Sequence, residues 1–389
     1  MRLKVTGILL TAFVLCAAGA FAQEPEKKAL DTSLKVSGVI FTEYAYLTGY
    51  QPGSAWNQQI EDTGKYRGQN ENQNSTFRVN RVYLNFRKNI SETVSMRVTT
   101  DVEGSDTTAL NLYLKYAFVQ YQESFFGFMT VNFQFGLIGT PIIGLMDDIS
   151  DCRWIYQNLY DKSANLLRGF GADSSADFGL RLSLTFANMV TVTGGVVNGE
   201  GYKKATETAG SNFDGKAYFA TLTVNPIASV YINGFFRYEE DAADNTAASS
   251  GISSEVLYGF GAAYKSKLIT AGVHAFYLWN NDKSGAYRIH TSYMLAEAYV
   301  MANLGEVIPS VPLLIHGRYG YGIEYGNEIS NGSEDYTTQM LAFGLGWQFV
   351  DGLRVLAYYE TYMYDRNTDV GYELPLDASN FMVKAEVKF

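Results

Sequence analysis

The chain reads as an all-β transmembrane barrel of sixteen antiparallel strands, and three observations predict it. Short segments alternate apolar and polar residues with a period of two. The links between them alternate long and short, the rhythm of outer-membrane barrels. All seven prolines, at positions 25, 52, 141, 226, 309, 312 and 375, avoid the middle of every such segment, because a residue without an N–H breaks a ladder.

In chain order, the first element is a targeting segment. Arg2 and Lys4 precede an apolar run from Gly7 to Leu15, and small residues end in Ala20-Phe21-Ala22. This is the pattern of a secretory signal over 1–22, cut before Gln23. Bulky Leu15 before Cys16 argues against lipid attachment there, so Cys16 leaves with the signal. The mature chain then keeps Cys152 alone, which excludes an internal disulfide. A short polar leader covers 23–32, and 33–389 form one barrel domain. Loss of the signal shifts the formal charge from -10 to -12, a balance that excludes nucleic acid as a partner. No later segment offers the roughly 18 consecutive apolar residues of a membrane helix, so entry into outer-membrane lipid requires a barrel. The aromatic share of 15%, with 29 Tyr and 24 Phe, suits two interfacial girdles.

The strands follow. From Val94 to Val102 one face carries Val94, Met96, Val98 and Val102, and the other Ser95, Arg97, Thr99 and Asp101. Leu110, Leu112, Leu114, Tyr116 and Phe118 oppose Lys115 in the next segment. Met129 to Leu137 and Phe178 to Phe186 repeat the signature, with Arg181 opposite Leu180 and Leu182. Ile269 to Trp279, Met340 to Phe349 and Phe381 to Phe389 continue it. Short turns are expected at 88–92, 122–126, 187–189, 225–228, 266–267 and 350–352. Long polar links are expected near 50–74, 139–174, 199–213, 241–253, 280–288, 326–336 and 365–377. The last strand, ending in Phe389, has the form of the signal read by the barrel assembly machinery.

A barrel of this size holds an aqueous lumen, so the candidate functional residues are those that narrow it. The segment Gly139 to Arg168 follows the fifth strand, where general porins fold a loop into the pore. It brings Asp147, Asp148, Asp151 and Asp161 together with Arg153, Lys162 and Arg168, opposed charges that would set up a transverse field. The run from Asp147 to Asp151 lacks the Gly and terminal Glu of a calcium loop, so no metal is expected. On the strands, Arg97, Lys115 and Arg181 point away from the greasy face, with Arg78, Arg237, Arg318 and Arg354 less clearly so. With Asp101, Glu239, Glu297 and Glu360 on comparable faces, they read as a mixed-charge wall with room for a local anion track. His274, His290 and His316 have no Ser or Cys partner at a catalytic spacing, and no cofactor fingerprint occurs, so an enzyme is not expected. The expected activity is passive passage of small hydrophilic solutes or ions. The rival expectation is a surface barrel that binds a host, matrix or phage partner through the loops near 50–74, 199–213 and 326–336.

The stretch from Phe77 to Phe86, Phe-Arg-Val-Asn-Arg-Val-Tyr-Leu-Asn-Phe, resembles the second-strand region of the phosphate-selective porins (the porin O/P family). Ala117-Phe118-Val119-Gln120-Tyr121 and Phe135-Gly136-Leu137 follow at similar distances. The resemblance implies a sixteen-stranded homotrimeric porin with an anion path along basic residues, Arg78 and Arg81 among them. Strict alternation puts those two on opposite faces, so both reach the pore only if a bulge intervenes.

Overall fold

The computed structural model of the chain describes residues 30–48, 75–104, 110–159, 161, 174–199, 201–203, 216–241, 253–284, 287–325, 336–366 and 378–389. The secretory segment, most of the leader, Arg168, Lys162 and the bulk of the long links lie outside them. Of the expected adhesive loops, 50–74, 204–213 and 326–335 lie there too.

Sixteen strands run in chain order: β1 (Lys35–Thr48), β2 (Ser75–Asn89), β3 (Val94–Gly104), β4 (Leu110–Phe125), β5 (Met129–Gly139), β6 (Ala176–Phe186), β7 (Val190–Val197) and β8 (Lys216–Val224). They continue as β9 (Val230–Asp241), β10 (Ser253–Lys265), β11 (Ile269–Ser284), β12 (Tyr287–Asn303), β13 (Leu313–Tyr325), β14 (Tyr336–Val350), β15 (Leu353–Arg366) and β16 (Ala378–Lys388). Each pairs antiparallel with its sequence neighbours, and β16 pairs with β1, so the sheet closes on itself. Closure removes the unpaired edges that an open sheet would present. One helix, α1 (Pro141–Ser150), follows β5. Among the described residues no helix is long and apolar enough to cross a membrane; the strands do that.

The alternation sorts residues as a lipid-embedded barrel requires. Leu110, Leu112, Leu114, Phe133, Phe135, Phe178, Leu180, Leu182, Phe260, Leu341, Phe343 and Leu345 are all exposed on the outside. So much contiguous apolar surface is incompatible with water and is the outer band of a membrane barrel. The opposite faces carry buried polar side chains, Glu43, Arg81, Asp101, Lys115, Gln134, Arg237, Glu297, Arg318 and Glu360 among them.

Two register shifts change the expected faces. Between β1 and β2 the pairing steps from Phe41–Arg81 to Thr42–Val79, which leaves Asn80 as the extra residue of a bulge. One inserted residue reverses the parity on its far side, so Arg78 and Arg81 both face the lumen. Between β3 and β4 it steps from Thr99–Tyr116 to Thr100–Leu114, with Lys115 as the extra residue. Tyr116 and Phe118, expected beside Leu110, Leu112 and Leu114 on the greasy face, therefore turn inward. Tyr116 lies against Arg97, and Phe118 packs on Ile138, Val197 and Phe219.

The link expected at 280–288 is corrected as well. Pairing continues from Asn280–Thr291 out to Ser284–Tyr287, so β11 and β12 run on as a polar ladder beyond their apolar parts. The link at 303–311 holds a short 3-10 turn, Leu304–Glu306, capped by the Asn303 side chain, which accepts from the Gly305 amide.

Candidate functional site: a one-sided lumen

The segment after β5 is folded into the barrel. Pro141 opens α1, where its fixed φ suits the first helical turn and its missing N–H is no loss. Thr140 spends its hydroxyl on the Ser174 carbonyl (2.5 Å) and does not cap the helix. Asp151 ends the helix in a left-handed conformation, φ 52°.

Ile142, Ile143, Met146 and Leu159 pack against Phe235, Leu257, Phe276, Leu278, Tyr293, Leu295 and Met340 of β9–β14. Beyond the helix, Cys152, Trp154, Ile155 and Tyr156 pack against Phe41, Leu314, Leu356, Tyr358 and Met382 of β1 and β13–β16. Polar ties fix the same segment. Arg354 Nη1 donates to Asp151 (2.8 Å), Lys265 Nζ donates to the Asp148 carbonyl, and Arg318 Nη2 donates to the Gln157 carbonyl (3.1 Å). The Arg318 guanidinium also stacks on Tyr156, 3.6 Å from the ring centre. The segment therefore seals the lumen along the arc from β9 round to β1.

A cavity of ≈ 840 Å³ remains along the other arc, β2 to β9. Its wall presents Arg87, Arg97, Lys115 and Arg181, and its opposite side is α1 with Asp147 and Asp148. Arg153, just beyond α1, lines the same side as Asp147 and Asp148.

The basic residues divide by partner. Arg78 donates to Glu43, whose other oxygen is bridged by Lys384 (3.1 Å). Arg81 donates to Asp101 (2.7 Å), which also accepts from the Tyr202 hydroxyl (2.8 Å). Lys115 Nζ lies 3.1 Å from the Tyr83 hydroxyl and 3.8 Å from Asp101. Arg237 bridges Glu239 and Glu255, Arg318 pairs with Glu297 (2.8 Å), and Arg354 pairs with Glu386. In these pairs each basic side chain has a carboxylate beside it. Arg97 and Arg181 differ: Arg97 donates to Thr99 and Asn85, Arg181 to Gln134 and the Gly139 carbonyl. All of those acceptors are neutral. Arg87 lies directly across the ladder from Arg97, a like-charge pairing that is unfavourable by itself. Sequence reading passed over Arg87, although it shares the parity of Arg81 beyond the bulge.

On α1 and its extension, Arg153 reaches Asp161 (3.0 Å) and Asp147 (3.7 Å), and Asn158 donates to Asp147. Burial, opposed by Arg153, raises the Asp147 carboxyl to about 6. Burial also raises Asp148, against the pull of Lys265, Arg97 and Arg181. Burial pushes the Cys152 thiol up to about 12, which leaves it a small apolar residue of the seal. His274 and His316 face inward and are buried, while the side chain of His290 lies outside the description.

No protein-family model and no curated protein matches the sequence. Solved structures do match its fold. The outer membrane channel DcaP of Acinetobacter baumannii aligns with TM-score 0.61 and 13% identity, over 92% of this chain and 97% of that one. The anion-selective porin of Comamonas acidovorans gives 0.60 and 10%, over 92% and 99%. OmpT of Vibrio cholerae gives 0.59 and 12%, over 94% and 100%. The fold, with its outward apolar band, is that of a sixteen-stranded outer-membrane porin barrel.

Proposed function

We propose that the protein is a passive diffusion channel of the outer membrane for small hydrophilic solutes and ions, with a preference for anions. The observation that carries the preference is the set of three guanidiniums on the cavity wall. Arg87, Arg97 and Arg181 make no ion pair among the described residues, whereas Arg78, Arg81, Arg237, Arg318 and Arg354 each sit on a carboxylate. The Asp148 carboxylate acts on Arg97 and Arg181 only from across the cavity, which leaves room for a mobile anion as counter-charge, held weakly enough to leave again. The resemblance of the second strand to phosphate-selective porins and the printed name of the Comamonas neighbour agree with this reading. The same family resemblance implies a homotrimer, and the form of the last strand implies insertion by the barrel assembly machinery. No catalysis enters the reading.

The test is the zero-current potential of the refolded protein in a planar bilayer under a potassium chloride gradient. An anion-signed potential is expected. Arg97→Ser with Arg181→Ser should lower the anion-to-cation permeability ratio at least about fivefold, since even one unit charge ~4 Å from an ion in water contributes ~1 kcal/mol. A folded barrel that does not conduct would overturn the channel. A potential of cation sign would overturn the preference alone.

A further inference from the structure

On the same cavity wall, beside Arg181, lies a patch whose chemistry differs from the rest of the lumen. Ser183, Thr193 and Thr221 stand directly opposite one another across β6, β7 and β8. Two residues further along the same strands, Thr185, Thr191 and Thr223 do the same. Six hydroxyls thus form a two-by-three grid with no charged or aromatic side chain among them. All but Thr185 line the cavity. At the ~4.8 Å spacing of neighbouring strands, each row spans about 10 Å, the scale of a sugar.

Within the grid, Thr193 donates to Ser183 (2.9 Å), and Thr185 and Thr191 share a bond of 3.0 Å. A hydroxyl has one donor and two acceptor sites, so these internal bonds leave acceptor capacity across the patch. Arg181 borders it, two residues before Ser183 on β6, and lines the cavity; Gln134 faces it on β5 and accepts from it (2.6 Å), and on its β7 side stands Gly195, with the Phe219 ring close against that glycine. The wall therefore offers a cation and, next to it, a flat array of neutral hydroxyls. A simple inorganic anion uses only the first of these. Apolar chains gain nothing from the second.

We infer that the cavity selects anions that carry a run of hydroxyl groups, the charge held at Arg97 and Arg181 and the hydroxyls laid on the grid of β6–β8. The shared chemistry is a carboxylate or phosphate on a polyol. The inference rests on the anion preference proposed above and names the solute class for that same cavity.

The experiment measures block of the chloride current through the full-length mature protein. Gluconate is compared with hexanoate, which has the same carbon number and charge but no hydroxyls. Glycerol phosphate is compared with propyl phosphate in the same way. The hydroxylated member should block at a concentration at least about fivefold lower in one pair or both, the worth of one net hydrogen bond; which pair shows the larger gap tells whether the charged group is carboxylate or phosphate. Thr193→Val with Thr221→Val keeps side-chain shape and should close that gap, with a heat-modifiable band on gels as the check that the barrel has folded. If the zero-current potential is anionic but neither pair differs, this inference fails and the anion preference stands. If the gap survives in the folded valine variant, the grid is not its cause and the inference fails as well.

Discussion

At Asp147 burial and charge pull in opposite directions, and burial wins. The side chain faces Arg153 at 3.7 Å, the Asn158 amide, and the neighbouring charges of Asp161, Asp148 and Lys115. Its carboxyl rises to about 6, above the ordinary value of about 3.9. The folded loop therefore binds the proton more tightly than the unfolded chain. The stability that this proton contributes is present in full below about 3.9 and is lost as pH rises through about 6. For conduction the consequence is larger than for stability. Neutral Asp147 removes one negative charge from the side facing Arg97 and Arg181, so anion preference should increase as pH falls through about 6. Asp147→Asn should fix the preference at its acid value and flatten the profile. Zero-current potentials from pH 4.5 to 8, recorded for both proteins, check this; parallel profiles would remove Asp147 from the selectivity of the pore.

The element that makes the lumen one-sided is α1 with the residues that follow it. Its apolar face is completed by the wall of β9–β14, while the strands close the barrel by pairing with one another. Ile143→Ala with Met146→Ala removes two side chains that are about 1% and 0% exposed. Such truncations cost about 2–5 kcal/mol each where packing cannot relax. Here the loss should fall on the seal: single-channel conductance should rise and become noisier, with the thermal transition of the barrel little changed. A lower transition with unaltered conductance would mean that α1 supports the barrel and does not define the pore. Most strands were legible in the sequence because a period-two pattern reports two solvents directly. Bulges were not, since Asn80 and Lys115 are ordinary residues whose only mark is a change of parity. The tie between Tyr202 and Asp101 was hidden too, because 101 positions separate the partners and a polar residue in a loop carries no sign of where it docks. The helix inside the loop was visible only as the apolar run Ile142–Met146, too short to distinguish from a strand.

At the scale of the whole molecule, strand count and closure followed from the sequence because alternating links dictate neighbours, and a barrel is the form that leaves no backbone unpaired in lipid. The charge of the lumen did not follow, because ion pairing across strands depends on register. Arg97 and Arg237 look alike in sequence, yet one meets amide and hydroxyl oxygens and the other two carboxylates. Phe389 stands at the seam where the barrel closes. Its N–H donates to the Gly38 carbonyl (3.1 Å), and its own carbonyl accepts from the Gly38 amide (2.9 Å). The ring, 63% exposed, lies over Gly38. Removing Phe389 deletes two backbone bonds, worth about 0.5–1.5 kcal/mol each, from a seam that is paired from Val39–Lys388 to Thr48–Ser379. Closure itself should survive that loss. The shortened protein is therefore expected to refold in detergent and conduct as the intact one does, while its heat-modifiable form in the outer membrane of expressing cells falls several-fold. The contrast separates the proposed recognition by the assembly machinery from stability. Equal amounts in cells would leave the terminal phenylalanine no part in assembly, and failure in detergent would make it a structural residue of the seam.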